Sequence, residues 1–289
     1  MSRARGPRRL RRAWFGLSTA LGLAKRGVFI PYRHADTLDA PRWRAPYPAI
    51  EALFAARESS FRAVLGLIEA QADALAGFGT APSPAPRFAQ DWFPRLDAAA
   101  AYAIVRARRP RRIVEIGSGH STRFLARAIA DEGHGGAITA IDPAPRADIA
   151  GLANVALLRA PLQKVGLAPF EALGAGDLLF VDSSHVLMPG SDVDIVLNRI
   201  LPMLPAGMLV HLHDVFLPDD YPPEWRWRGY NEQQGVAAHL IGGRLTLFFA
   251  SRYVATRMAE ALSGTAVARL PLPAGAYESS LWTETAPGS

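Results

Sequence analysis

The chain has 289 residues, 49% hydrophobic and 20% charged, with a formal net charge of +6 and no cysteine. That length fits one large domain or a domain with an extension, and the composition is that of a soluble globular protein rather than a disordered one. The lack of cysteine excludes disulfides, thiolate zinc sites, iron–sulfur clusters and a cysteine nucleophile.

The positive charge is local. Residues 1–12 hold six arginines (Arg3, Arg5, Arg8, Arg9, Arg11 and Arg12) and no acid. Setting those six aside leaves 26 of the 32 basic residues against 26 acidic ones, so the body is neutral. A nucleic-acid enzyme would spread positive charge over its body, so no nucleic-acid partner is expected. The apolar stretch Trp14 to Ala24 is cut off by Lys25 and Arg26 and is too short to span a bilayer. No clear secretory cleavage site follows it. Two readings stay open. One is an unstructured basic tail leading into a helix packed on the body. The other is a basic, apolar segment resting on an anionic membrane surface. The expected location is the cytoplasm, with the second reading adding a peripheral contact at the inner membrane face.

Apolar residues from Ile50 to Leu75 recur at helical spacing and predict a helix over 49–76. The run 77–90, rich in proline and small residues, reads as a linker. This places a tail and helical extension at 1–90 and the main domain at 91–289. From Asp91 onward, predicted helices (96–108, 120–130, 192–204, 230–241) alternate with short apolar strands (113–116, 137–141, 155–158, 178–181, 208–212, 245–249, 280–285). Such alternation predicts an α/β fold: a doubly wound, mostly parallel, Rossmann-like sheet of about seven strands with helices on both faces. Ligands bind beyond the carboxyl ends of such strands, and the unusual polar residues fall there.

The first strand runs into VEIGSGHS, residues 114–121. Gly117 and Gly119 allow a sharp turn and close approach of a ligand. The third glycine of a dinucleotide fingerprint would fall on Thr122, and no GK[ST] follows. Both departures weigh against a nicotinamide-dependent oxidoreductase and against a P-loop. The next strand ends at Asp142, whose carboxylate can accept hydrogen bonds from two ribose hydroxyls. The fourth strand ends in Asp182-Ser183-Ser184-His185, and the fifth in His213-Asp214. Adjacent polar residues ending a buried strand are costly unless paired or ligated. Residues 214–234 follow directly, with Phe216, Tyr221, Trp225, Trp227 and Tyr230 among prolines and acids, and read as a lid that touches the substrate.

In this order and at strand ends, VEIGSGHS, AIDP, DLLFVDSSH and GMLVHLHDVF resemble a class I S-adenosylmethionine-dependent methyltransferase, over roughly residues 91–250. The resemblance is nearest to a bacterial small-molecule branch. It implies that Glu115, Gly117 and Gly119 line the methionine portion of the cofactor, that Asp142 holds the ribose, and that Leu162-Gln163 border the adenine. Ser121 and Asp182 complete the implied cofactor-binding set. The third and fourth motifs are also similar to those of catechol-type O-methyltransferases, whose magnesium ligands fall here on Asp182, His213 and Asp214. The lysine base of that family falls on His185. A histidine in the ligand set departs from the family and would favour softer metals over magnesium. A divalent metal, manganese or magnesium, is thus one expectation. The other is a metal-free site in which Asp182 and Asp214 position the substrate and His185 or His213 is the base.

The expected function is O-methylation of a small molecule: a sugar, a phenol or a secondary metabolite. N-methyltransferases commonly carry an Asn/Asp-Pro-Pro-Tyr sequence after the fourth strand, which Asp182–His185 does not match. A non-catalytic cofactor-binding module at a membrane surface is the alternative from another class. The oligomeric state is open.

Overall fold

The computed structural model describes residues 6–28, 30–38 and 44–287. The chain divides into two units, Met1–Arg42 and Trp43–Ser289. In the first, a helix α1 (Gly6–Ala20) takes in Arg11 and the positions of Arg8, Arg9 and Arg12. The basic segment is therefore helical from residue 6, not an unstructured tail up to residue 12. Arg3 and Arg5 lie outside the described residues. Among the described residues, no helix is long and apolar enough to cross a membrane.

The second unit opens with α2 (Pro48–Ala55), α3 (Glu58–Glu69) and α4 (Ala72–Ala76), where the sequence pattern predicts one continuous helix. Their apolar faces, including Phe54, Phe61, Val64 and Ile68, are buried in the same core as the sheet. Ser60 Oγ donates to Phe248 O at 2.8 Å, tying α3 to a sheet strand. Next come α5 (Arg95–Arg108), β1 (Arg112–Ile116), α6 (His120–Glu132), β2 (Ala137–Ile141), β3 (Val155–Leu158), α7 (Ala168–Glu171) and β4 (Leu178–Val181). After β4, α8 (Asp192–Ile195) passes through a π turn at Val196–Ile200 into α9 (Leu201–Met203), then β5 (Leu209–Leu212). The chain ends with α10 (Glu232–Ile241), β6 (Leu245–Ala250), α11 (Ser251–Arg257), α12 (Ala259–Ser263) and β7 (Leu281–Thr285).

The seven strands form one sheet in the order β3-β2-β1-β4-β5-β7-β6, parallel except that β7 runs against both β5 and β6. This is the doubly wound, mostly parallel sheet expected from the sequence. β4 and β5 are buried at every position, as strands covered on both faces must be. In α5 every residue from Leu96 to Val105 is buried, and five of them are alanines that let neighbouring elements approach closely.

Candidate active site

The register aligns the strand ends. Ile116 pairs with Ile141 on one side and Val181 on the other, and Val181 pairs with Leu212. The next residues, Gly117, Asp142, Asp182 and His213, therefore stand in one row along the carboxyl edge. The ladder continues into that row: Gly117 N donates to Ile141 O (2.9 Å), Asp182 N to Ile116 O (2.8 Å) and His213 N to Val181 O (2.9 Å). Because β7 runs the other way, Ser279 and Ser280 reach the same edge from its amino end.

Gly117 has φ +80°, and a Cβ there would lie 1.8 Å from Asp182 O. Only glycine fits. Behind the turn, Glu115 is fully buried and does not line the cavity. Its two oxygens accept hydrogen bonds from Ser121 Oγ (2.6 Å) and Thr122 Oγ1 (2.7 Å), and Thr122 Oγ1 accepts from Gly119 N (2.9 Å). Burial pushes the Glu115 carboxyl up to about 8 against these hydroxyls. Glu115 thus shapes the loop from below, which differs from the direct contact that the resemblance implies.

The loop forms one wall of a cavity of about 300 Å³. Gly117, Gly119, Ser121, Asp142, Gln163 and Asp182 all line it. Asp142 is partly engaged, accepting from Ser118 N and Ala144 N at 2.7 Å each. Sequence reasoning missed Trp92, His120 and Arg146 on the same walls. Three lining atoms, Ser118 Oγ, His120 Nδ1 and Ser183 Oγ, are buried without a partner. Buried polar atoms are rarely left so unless a ligand or water satisfies them. A polar cofactor such as S-adenosylmethionine fits this cavity.

At the β4–β5 end the expected residues also converge. His185 Nε2 lies 3.2 Å from Asp182 Oδ1 and 3.5 Å from Asp214 Oδ2. His213 Nδ1 lies 3.5 Å from both Asp182 Oδ1 and Asp214 Oδ1. The far nitrogen of each ring meets a buried carboxylate that the sequence reading missed: His185 Nδ1 at 2.8 Å from Glu232, and His213 Nε2 at 3.3 Å from Asp97. Asp97, in the first turn of α5, also accepts from the backbone N–H groups of Ser279 and Ser280. His185 and Asp214 hold left-handed backbone conformations, φ +59° and +54°. Non-glycine residues held this way cluster at functional sites.

Burial alone would strip the proton from either ring. For His185, contacts with Asp182 and Glu232 and the field of Asp214 outweigh burial; for His213, the fields of Asp182 and Asp214 and contacts with Asp182 and Asp97 do. Both pKa values rise well above the ordinary histidine value. Burial likewise opposes ionisation of Asp182, but the charge of His213 and the bonds from both rings hold it well below the usual carboxylate range. Each ring thus holds its proton between carboxylates, with one on either nitrogen.

Among the described residues, no group of three or more His, Asp or Glu side chains is arranged to hold a metal ion. Asp182, His213 and Asp214 do converge, but both nitrogens of each ring already face carboxylates. The residues as placed do not fit a metal.

A second cavity, about 70 Å³, adjoins the first and shares Trp92, Arg146 and Asp182 with it. Its other walls include His213, Asp214, Trp225, Arg228 and Tyr277. Arg228 stacks on Trp225, its guanidinium carbon 3.9 Å from the ring centre. Of the five aromatics expected in a lid, Trp225 lines this cavity and Tyr230 packs on His185 with ring centres 4.6 Å apart. Phe216 is buried beneath them. A short 3₁₀ helix, Pro223–Arg228, carries Trp225, Trp227 and Arg228.

Residues 114–215, which contain three of the four strand-end motifs whole and most of the fourth, match the family described as "Methyltransferase domain". The chain carries a methyltransferase domain. The match bears out the class I S-adenosylmethionine-dependent methyltransferase resemblance, and with it S-adenosylmethionine as methyl donor. Among solved structures, this methyltransferase is similar to the SAH-bound methyltransferase PaMTH1 of Podospora anserina, at 18% identity over 90% of this chain and 100% of that one, TM-score 0.39. It is also similar to a structure described as cmcI with Mg-SAM, at 16% identity over 64% of this chain and 69% of that one, TM-score 0.38. The family match, not these distant likenesses, carries the assignment. Comparison with curated proteins finds no match.

Proposed function

We propose that this methyltransferase acts on a hydroxyl group of a small molecule, a sugar, a phenol or a secondary metabolite, seated in the smaller cavity. One observation carries the reading: Asp182 opens on both cavities, so its carboxylate stands where the methyl donor and the acceptor meet. Bound S-adenosylmethionine supplies an electrophilic methyl group for direct displacement by the acceptor oxygen. The chain's own residues align the two reactants, which is where most of the acceleration in such a displacement arises. Trp92 and Trp225 offer flat faces for a ring. Asp142 and the unpartnered atoms of Ser118, His120 and Ser183 hold the donor.

In this proposal Asp182 accepts a hydrogen bond from the acceptor hydroxyl and aims its oxygen at the methyl group, and the proton passes to solvent as the carbon–oxygen bond forms. His185 and His213 keep Asp182 ionised and aimed, and Glu232 and Asp97 orient those two rings as positioning residues. The catalytic domain is proposed to run over 91–289, with 44–90 as a helical buttress. The proposed location is the cytoplasm.

The test is a methyl-transfer assay on a panel of sugars and phenols. Asp182→Asn is expected to lower turnover by more than roughly tenfold, about 1.4 kcal/mol of barrier, while calorimetry shows cofactor affinity kept. Full activity in that variant would reject the site.

A further inference from the structure

The methyltransfer reading leaves the first unit unused. Along α1, Leu10, Trp14 and Leu17 recur at helical spacing, and Leu21 continues the stripe just beyond the last turn. These four side chains are 75%, 58%, 54% and 62% exposed. Leu23, Val28, Ile30 and Tyr32, further along the same unit, are also more than half exposed. Scattered exposed apolar residues need no explanation, but a continuous apolar stripe does.

The charge says what would cover it. All six arginines of residues 1–12 belong to this segment, and Lys25, Arg26 and Arg33 follow. By helical spacing, positions 8, 9, 11 and 12 fall off the apolar stripe. Arg11 is exposed, and both its guanidinium and that of Arg26 lie over the Phe15 ring, at 5.1 and 5.4 Å. A helix with Trp and Leu on one face and arginine on the others, and too short to span, has the form of an interfacial helix. A protein partner would match the apolar stripe but gives no reason for nine basic residues with one acid, Asp36, among residues 1–38.

We propose that α1 docks the protein on an anionic lipid bilayer, lying in the headgroup plane with Leu10, Trp14, Leu17 and Leu21 inward. Arginines beside an anionic surface contribute roughly fivefold each to partitioning, the equivalent of ~1 kcal/mol per basic residue. The inserted side chains supply the part that salt does not screen. The docking is independent of the methyl acceptor and of the chemistry at Asp182.

The experiment is co-sedimentation of the full chain with vesicles of phosphatidylcholine alone and of phosphatidylcholine mixed with phosphatidylglycerol. Binding is expected only to the mixed vesicles and should weaken as salt is raised. Trp14→Asp combined with Leu17→Asp should abolish it. A second variant, with Arg8, Arg9, Arg11 and Arg12 all changed to Gln, should weaken it by two orders of magnitude or more. Both variants should keep the melting temperature of the body and its cofactor affinity. Equal binding to neutral vesicles, or none to either, overturns the proposal. So does self-association that hides the stripe, or RNA binding that persists where vesicle binding fails.

Discussion

Around the larger cavity three buried polar atoms lack partners, whereas at the β4–β5 end both nitrogens of His185 and of His213 face carboxylates. The first region is complete only with a ligand. The second supplies its own counter-charges, and its geometry stands without one. The contrast separates two tasks on one edge. A cofactor that must come and go is met by polar atoms that nothing else occupies. A group that must keep its ionisation state through each cycle is surrounded by fixed charge, which costs no reorganisation when the reaction occurs.

The strongest way to break the contrast is at the residue that touches both regions. Gly117→Ala would drive a Cβ into Asp182 O, so β1 and β4 must separate. We expect a loss of about 3 kcal/mol or more of stability together with cofactor binding, read by denaturant melts and calorimetry. Stability within experimental error of the unsubstituted protein would show that the edge can relax. A narrower break is Asp142→Ala. It should weaken S-adenosylmethionine binding by about 1.5–3 kcal/mol, the scale of hydrogen bonds to a charged group, and leave the His185–Asp182 pair in place. Unchanged affinity by calorimetry would remove Asp142 from the ribose role.

Glu115 sharpens the comparison through pH. Its carboxyl titrates near 8 when folded, against an ordinary value of 4.5. The folded chain therefore holds a proton that the unfolded chain has already released. That contribution to stability is complete below 4.5 and is lost as pH rises to about 8. Glu115→Gln should flatten this part of the stability profile, and a variant whose melting temperature falls between pH 5 and 8 as steeply as before would contradict the assignment. The smallest effect is expected from chelation. With imidazolium charge between the carboxylates, a chelator should leave turnover and melting temperature unchanged. Activity lost to chelator and restored by manganese would mean that the rings give up their protons to a metal.

Much of this was legible in the sequence because it is local. All seven strands are placed to within one residue at each end, since short apolar runs bounded by glycine or aspartate are self-announcing. The row Gly117, Asp142, Asp182, His213 follows from strand ends in a parallel sheet. The breaks between α2, α3 and α4 were not legible. They fall at Ala56-Arg57 and Ala70-Gln71, which carry no proline or glycine, and Ala56 and Ala70 stay in the right-handed helical region, so the hydrophobic period runs through. Asp97 and Glu232 were missed because their partners lie 116 and 47 residues away. A faint signal existed for Asp97, the only charged residue in the apolar run Leu96–Val105. The protonation of His185 and His213 could not be foreseen, because it depends on those distant carboxylates.

The wall shared by the two cavities has a kinetic consequence. Trp92, Arg146 and Asp182 border both ligands. Whichever ligand arrives first must settle the exposed Trp92 ring and the Arg146 guanidinium stacked 4.2 Å above it. The second then meets a surface already arranged, at less entropic cost. Donor and acceptor should thus raise each other's affinity, and thermodynamic linkage requires the two factors to be equal. After transfer, the loss of either product loosens the grip on the other, so whichever leaves first speeds the departure of the second.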